Sequence, residues 1–134
     1  MASAGTLVRF LTNAAPIVVF SAAIPGQRGT AHINEQWPEF WRDLFATRGY
    51  QRLDPIRRLI LGDSRVEWWY QQNIFIFASE DAIESHPKLS AGHRATPLEL
   101  IHSNLLKEVT RERTLSELVK ALPAAIRRSV RSRA

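Results

Sequence analysis

The sequence has no cysteine in its 134 residues. That excludes a disulfide framework, thiolate chemistry and any Cys-ligated zinc site, and it fits a reducing compartment. No segment approaches the ~18 continuous apolar residues that a membrane span requires. Met1 to Thr6 carries no basic residue ahead of an apolar stretch, so no signal peptide is expected and the expected location is cytoplasmic. The four histidines (His32, His86, His93 and His102) are scattered without metal-ligand spacing, so no metal site is expected. Ser21 lacks the Gly-x-Ser-x-Gly surroundings of a hydrolase nucleophile. Nowhere does an apolar run lead into a Gly-x-Gly loop, the turn by which nucleotide cofactors are held against a helix start.

What is present suffices for one domain. The chain is 45% hydrophobic and 23% charged, with four Trp and six Phe, which is enough to bury a core. The net charge of +5 is uneven. Residues 107–134 hold eight Lys or Arg against three acids, an excess equal to the net charge of the whole chain, so residues 1–106 are neutral. Arg127, Arg128, Arg131 and Arg133 form a basic tail with no interleaved aromatic residue. This pattern predicts no specific nucleic-acid partner, and at most weak peripheral contact with an anionic membrane surface.

Periodicity orders the rest. Leu7, Val8, Phe10 and Leu11 form a short helical stripe after Thr6, its expected N-cap. Ile17 to Ile24 is rich in β-branched residues and does not alternate, which predicts a strand buried on both faces inside a parallel sheet. A loop follows at Pro25-Gly26. Trp37, Phe40, Trp41, Leu44 and Phe45 then mark one face of a helix with Pro38 in its first turn and Gly49 at its end. Tyr50 to Asp54 is strand-like, Asp63 to Gln72 a short helix or ordered loop, and Asn73 to Ala78 a second buried strand. Residues 79–95 are polar and predict a linker. Residues 96–134 predict a basic helical tail, with capping boxes at Thr96 with Glu99 and at Thr114 with Glu117. Strand, helix, strand, excursion, strand is an α/β layout.

Val18 to Gln27, then Gly29 to Pro38 with its run His32-Ile33-Asn34-Glu35-Gln36-Trp37, resembles the fifth-strand region of a bacterial class I S-adenosylmethionine-dependent methyltransferase group. Trp41, Phe45, Gly49-Tyr50, Asp54, Val66 to Asn73 and Pro97 to His102 extend the likeness, while Arg28 departs from it, standing where the family tends to have glycine. The resemblance implies a partial Rossmann-like sheet made of strands five to seven, the last antiparallel, with a C-terminal helical extension. Residues 1–78 would be the C-terminal half of such a domain. The cofactor, S-adenosylmethionine, would be held by four earlier strands, so no cofactor-binding residue is expected here. The expected partners are a cofactor-binding N-terminal half or a second copy, meeting along the exposed edge of the fifth strand. The alternatives to a split or truncated enzyme are a non-catalytic interaction module and an inactive remnant.

Ligands of open α/β sheets bind beyond the carboxyl ends of the strands. The loop from Pro25 to Gln36 leaves such an end and offers four polar candidates. His32 is the natural general base, since methyl transfer to a hydroxyl or amine is helped by removing its proton near neutral pH. Gln27, Asn34 and Glu35 are candidates to orient the acceptor, with Tyr70 and Asn73 as further contacts. Each has a structural alternative. Asn34 or Glu35 can cap the following helix, His32 can bond a backbone carbonyl, and Asn73 can pin backbone at the start of its strand.

Overall fold

The computed structural model describes residues 2–27, 34–89 and 101–110. The chain opens with α1 (Ala2–Ala14), five residues earlier than an N-cap at Thr6 would start it, and Ala4 in that added turn is buried against the core. Its inward stripe is Ala4, Val8 and Leu11, while Phe10 lies 68% exposed. A short bend leads into β1 (Ile17–Ser21). After the loop come α2 (Pro38–Ala46), β2 (Tyr50–Leu53), the single turn α3 (Arg57–Ile60), α4 (Trp68–Asn73) and β3 (Ile74–Ser79). Then follow α5 (Glu80–Ser85), a 3-10 turn at Pro87–Leu89, and α6 (Ser103–Thr110).

The three strands form one sheet in the order β1-β3-β2. β3 is antiparallel to both neighbours, pairing Ser21 with Ile74 on one side and Leu53 with Ile76 on the other. β1 and β2 therefore run the same way without touching. The expectation of a strand from Ile17 to Ile24 buried in a parallel sheet is corrected on three counts. The strand stops at Ser21, its neighbour is antiparallel, and Val19 is 59% exposed at the sheet's edge. The physical reason is that Asn73, expected to open the third strand, closes α4 instead, so Ala22 to Ile24 have nothing to pair with.

One face of the sheet carries α1 and α2. There Phe45, fully buried, stacks on Phe77 at 3.9 Å between ring centroids, and Phe20 meets Trp41 at 4.8 Å. Trp37 is the N-cap of α2 rather than part of it, with Pro38 taking the first helical position. Gly49, at φ +74, makes the left-handed turn into β2 that a Cβ would strain. The Tyr50 hydroxyl lies 2.9 and 2.8 Å from the carbonyls of Thr12 and Ala15, so its single proton serves the acceptors at the end of α1 one at a time or shared. The other face packs Leu53, Ile76 and Ala78 against Ala82, Ile83 and Leu89. Most of residues 79–89, expected as part of a linker, thus form α5 and the 3-10 turn; α5 is capped by Ser79, the last residue of β3, whose hydroxyl accepts the Ala82 N–H. Thr96, Glu99, Thr114, Glu117 and the basic tail beyond residue 110 lie outside the described residues.

Among the described residues β1 has a partner on only one side. An apolar edge of five residues, Ile-Val-Val-Phe-Ser, is a template for pairing with another chain. The 134-residue protein is expected to self-associate at high concentration. Light scattering that found a monodisperse monomer there would count against an open β1 edge.

Candidate functional site

The carboxyl ends of β1 and β2 and the start of β3 lie at one end of the sheet. Loops leaving that end form a buried polar cluster. The loop after β1 turns tightly at Gly26, at φ +83, and the Gln27 N–H donates to the Ile24 carbonyl at 3.0 Å. Its two ends are drawn together: the Gly26 N–H donates to Glu35 Oε2 at 2.9 Å, and the Gln36 N–H to the Ala23 carbonyl at 3.1 Å. Glu35 therefore clasps the base of the loop. Asn34 Oδ1 accepts from Gln36 Nε2 at 3.2 Å. His32 lies outside the described residues.

Gln27 turns inward and is buried. Its Oε1 accepts from Asn73 Nδ2 at 2.7 Å, from the Ile24 N–H at 3.3 Å and from Gln72 Nε2 at 3.4 Å. Gln72 Nε2 also donates to Asn73 Oδ1 at 3.0 Å, and its Oε1 accepts the His102 N–H at 2.7 Å. Buried amides satisfied by one another hold backbone in place. Through Gln72 the cluster joins the β1 loop to the segment that starts α6, where His102 also stacks on Trp68. Gln27 and Asn73, expected far apart in sequence as separate substrate contacts, are brought together, with these polar atoms bonded inside the protein. Tyr70 stands exposed on α4 with its ring against Trp69.

Sequence reasoning missed the charged neighbours of this cluster. Asp54, wholly buried just past β2, receives Arg57 Nε at 2.9 Å and Nη2 at 2.5 Å on its Oδ2. Arg57 Nη1 donates to the Gln72 carbonyl at 3.1 Å, and its guanidinium lies 4.3 Å from the centre of the Phe75 ring. Arg52 approaches the same ring at 4.9 Å. Burial pushes the Arg52 guanidinium below its ordinary value, with Asp54 opposing the shift and Arg57 adding to it. Arg52 Nη1 and Asp54 Oδ1 are buried without partners. The one available signal was an acid ending a strand three residues before an arginine. Gln71 was equally silent in sequence. It fixes the excursion before α4, accepting the Gly62 N–H at 2.7 Å and donating to the carbonyls of Asp63 and Val66 at 2.9 and 2.6 Å.

Between α2 and the sheet, at this same end, is a cavity bounded by Phe20, Gln36, Trp41, Asn73, Phe75 and Phe77. Its free volume of about 10 Å³ has room for one water-sized group. A nucleotide-sized cofactor requires a cleft of roughly 300–1,000 Å³, so this cavity does not fit S-adenosylmethionine. No cluster of three or more His, Asp or Glu able to hold a metal occurs among the described residues, nor any helix long and apolar enough to cross a membrane. No family model, no curated protein and no solved structure matches this chain.

Proposed function

We propose that the chain forms the acceptor-side half of a class I methyltransferase that is active when joined to a cofactor-binding half. The observation that carries this reading is the sheet. Two like-directed strands are followed by a last strand opposing both, and among the described residues the first has a free edge on which four earlier strands would pair. The closed loop at the carboxyl end of β1 supports it, since that is where an open α/β sheet receives its ligand. In this reading S-adenosylmethionine is bound by the companion half, the loop from Pro25 to Gln36 lies over the acceptor, and a sugar or other small molecule is the acceptor. The alternative of a non-catalytic interaction module draws on the same free edge.

The test is reconstitution. A companion half carrying the four earlier strands and their Gly-rich loop, added to the 134-residue chain, is expected to transfer labelled methyl groups to candidate sugar acceptors. Neither half is expected to do so alone. Calorimetric titration of the chain by itself is expected to show S-adenosylmethionine binding no tighter than millimolar. Micromolar, saturable binding by this chain, or a stable complex of the halves without turnover on any acceptor, would defeat the proposal. The second outcome would leave the interaction module standing.

A further inference from the structure

We propose that the cavity beside Trp41 is a subsite for an uncharged hydroxyl group, with the indole N–H of Trp41 as donor to its oxygen and Gln36 Oε1 as acceptor of its proton. Trp41 is only 5% exposed, and its Nε1 is buried without a hydrogen-bond partner. An indole N–H can only donate, so whatever satisfies it must bring an acceptor. The other buried amide at the cavity, Asn73, already has Nδ2 on Gln27 and Oδ1 accepting from Gln72. Gln36 donates through Nε2 to Asn34, which leaves its Oε1 to accept. A hydroxyl is the group that offers one lone pair and one proton to this donor and acceptor.

The rest of the lining decides against ions. Phe20, Phe75, Phe77 and Trp41 are aromatic, and among the described residues no ionisable side chain bounds the cavity, the guanidinium groups of Arg52 and Arg57 lying against the Phe75 ring. A carboxylate would lose water and bring no proton for Gln36 Oε1, while an ammonium would lose water beside the guanidinium groups of Arg52 and Arg57 on the Phe75 ring. An ammonium would also leave the indole N–H unsatisfied. The free volume of about 10 Å³ admits the hydroxyl itself and leaves the body of its carrier outside, on the apolar rim. As the selector of the methyl acceptor this subsite rests on the function proposed above; as a binding site it does not.

The experiment therefore needs neither cofactor nor turnover. The 15N–1H spectrum of the 134-residue chain resolves indole signals from its four tryptophans, and the signal lost in Trp41→Phe identifies Trp41. Phenol, benzoate and benzylammonium are titrated in turn as probes of one ring with three polar groups. Phenol is expected to move the Trp41 signal saturably, while the two ions leave it in place. Gln36→Leu, whose lost side chain held only Asn34, is expected to weaken phenol about tenfold with the Trp41 signal still present. If Trp41→Phe fails to fold, Trp37→Phe, Trp68→Phe and Trp69→Phe identify the Trp41 signal by elimination. A Trp41 signal unmoved by phenol, meaning a buried water only, overturns the subsite. So does a signal moved equally by all three probes. Phenol binding without methyl transfer in the joined halves would defeat the methyltransferase reading alone.

Discussion

Replacing Asp54 by Ala is expected to lower the stability of the chain by about 3–5 kcal/mol. Asp54 and Arg57 are both essentially excluded from water, and their pairing is the compensation for placing two charges there. Without the carboxylate, two guanidinium groups remain around the Phe75 ring, Arg57 at 4.3 Å and Arg52 at 4.9 Å. Arg57 would keep its bond to the Gln72 carbonyl and its ring contact, neither of which supplies negative charge. Replacing both members together, as Asp54→Leu with Arg57→Met, removes the stranded charge along with the pair. That variant is expected to recover most of the loss, because a buried pair is often worth little against apolar groups of similar size. Urea unfolding of Asp54→Leu, Arg57→Met and their double variant gives the coupling directly. A single-variant loss below about 1 kcal/mol would mean that water reaches the pair.

The surface pair of Arg65 with Asp63 has comparable geometry, Nη2 to Oδ2 at 2.7 Å, and a different setting, with the Arg65 side chain 87% exposed. Little stability is expected from it, since solvent already serves both charges. The contrast shows why the ion pair that matters was hidden in the sequence. Asp54-Pro55-Ile56-Arg57 and Asp63-Ser64-Arg65 look alike as strings, and burial alone separates them.

The legible parts were those written in local pattern. The apolar face of α2, the proline at its first position and the α/β alternation follow from periodicity and backbone chemistry, and the structure places all three. Strand length and neighbours were not local. β1 ends where it does because Gln72 and Asn73, fifty residues away, stay helical to satisfy Gln27 and one another. The buried amides were unreadable for the same reason, since a glutamine in sequence has no mark that tells an outward one from Gln27, Gln71 or Gln72. Composition misled at residues 79–89. A polar stretch there is still a capped helix, because Ala82 and Ile83 are enough to fasten it to the sheet.

In the joined enzyme, His32→Ala is expected to lower turnover by roughly 10²–10⁴-fold, the usual contribution of a positioned general base. That corresponds to about 3–5 kcal/mol of barrier at 1.36 kcal/mol per tenfold. The expectation comes from the base of the loop, which is fixed at the carboxyl end of β1 by Glu35 on the Gly26 N–H and by Gln36 on the Ala23 carbonyl. Glu35→Ala acts on the same loop by another route. Without the clasp the loop is less ordered before substrate arrives, so KM for the acceptor should rise more than kcat falls. Affinity for S-adenosylmethionine should change in neither variant if, as proposed, the companion half binds it. A purely structural role for both residues predicts a different pattern: each variant would lose about 1 kcal/mol of stability, as for a lost cap, and keep its turnover below the melting temperature. Steady-state kinetics and melting curves on the same preparations separate the two. Unchanged turnover in His32→Ala would end its assignment as the base, while the acceptor-side half would stand or fall on reconstitution alone.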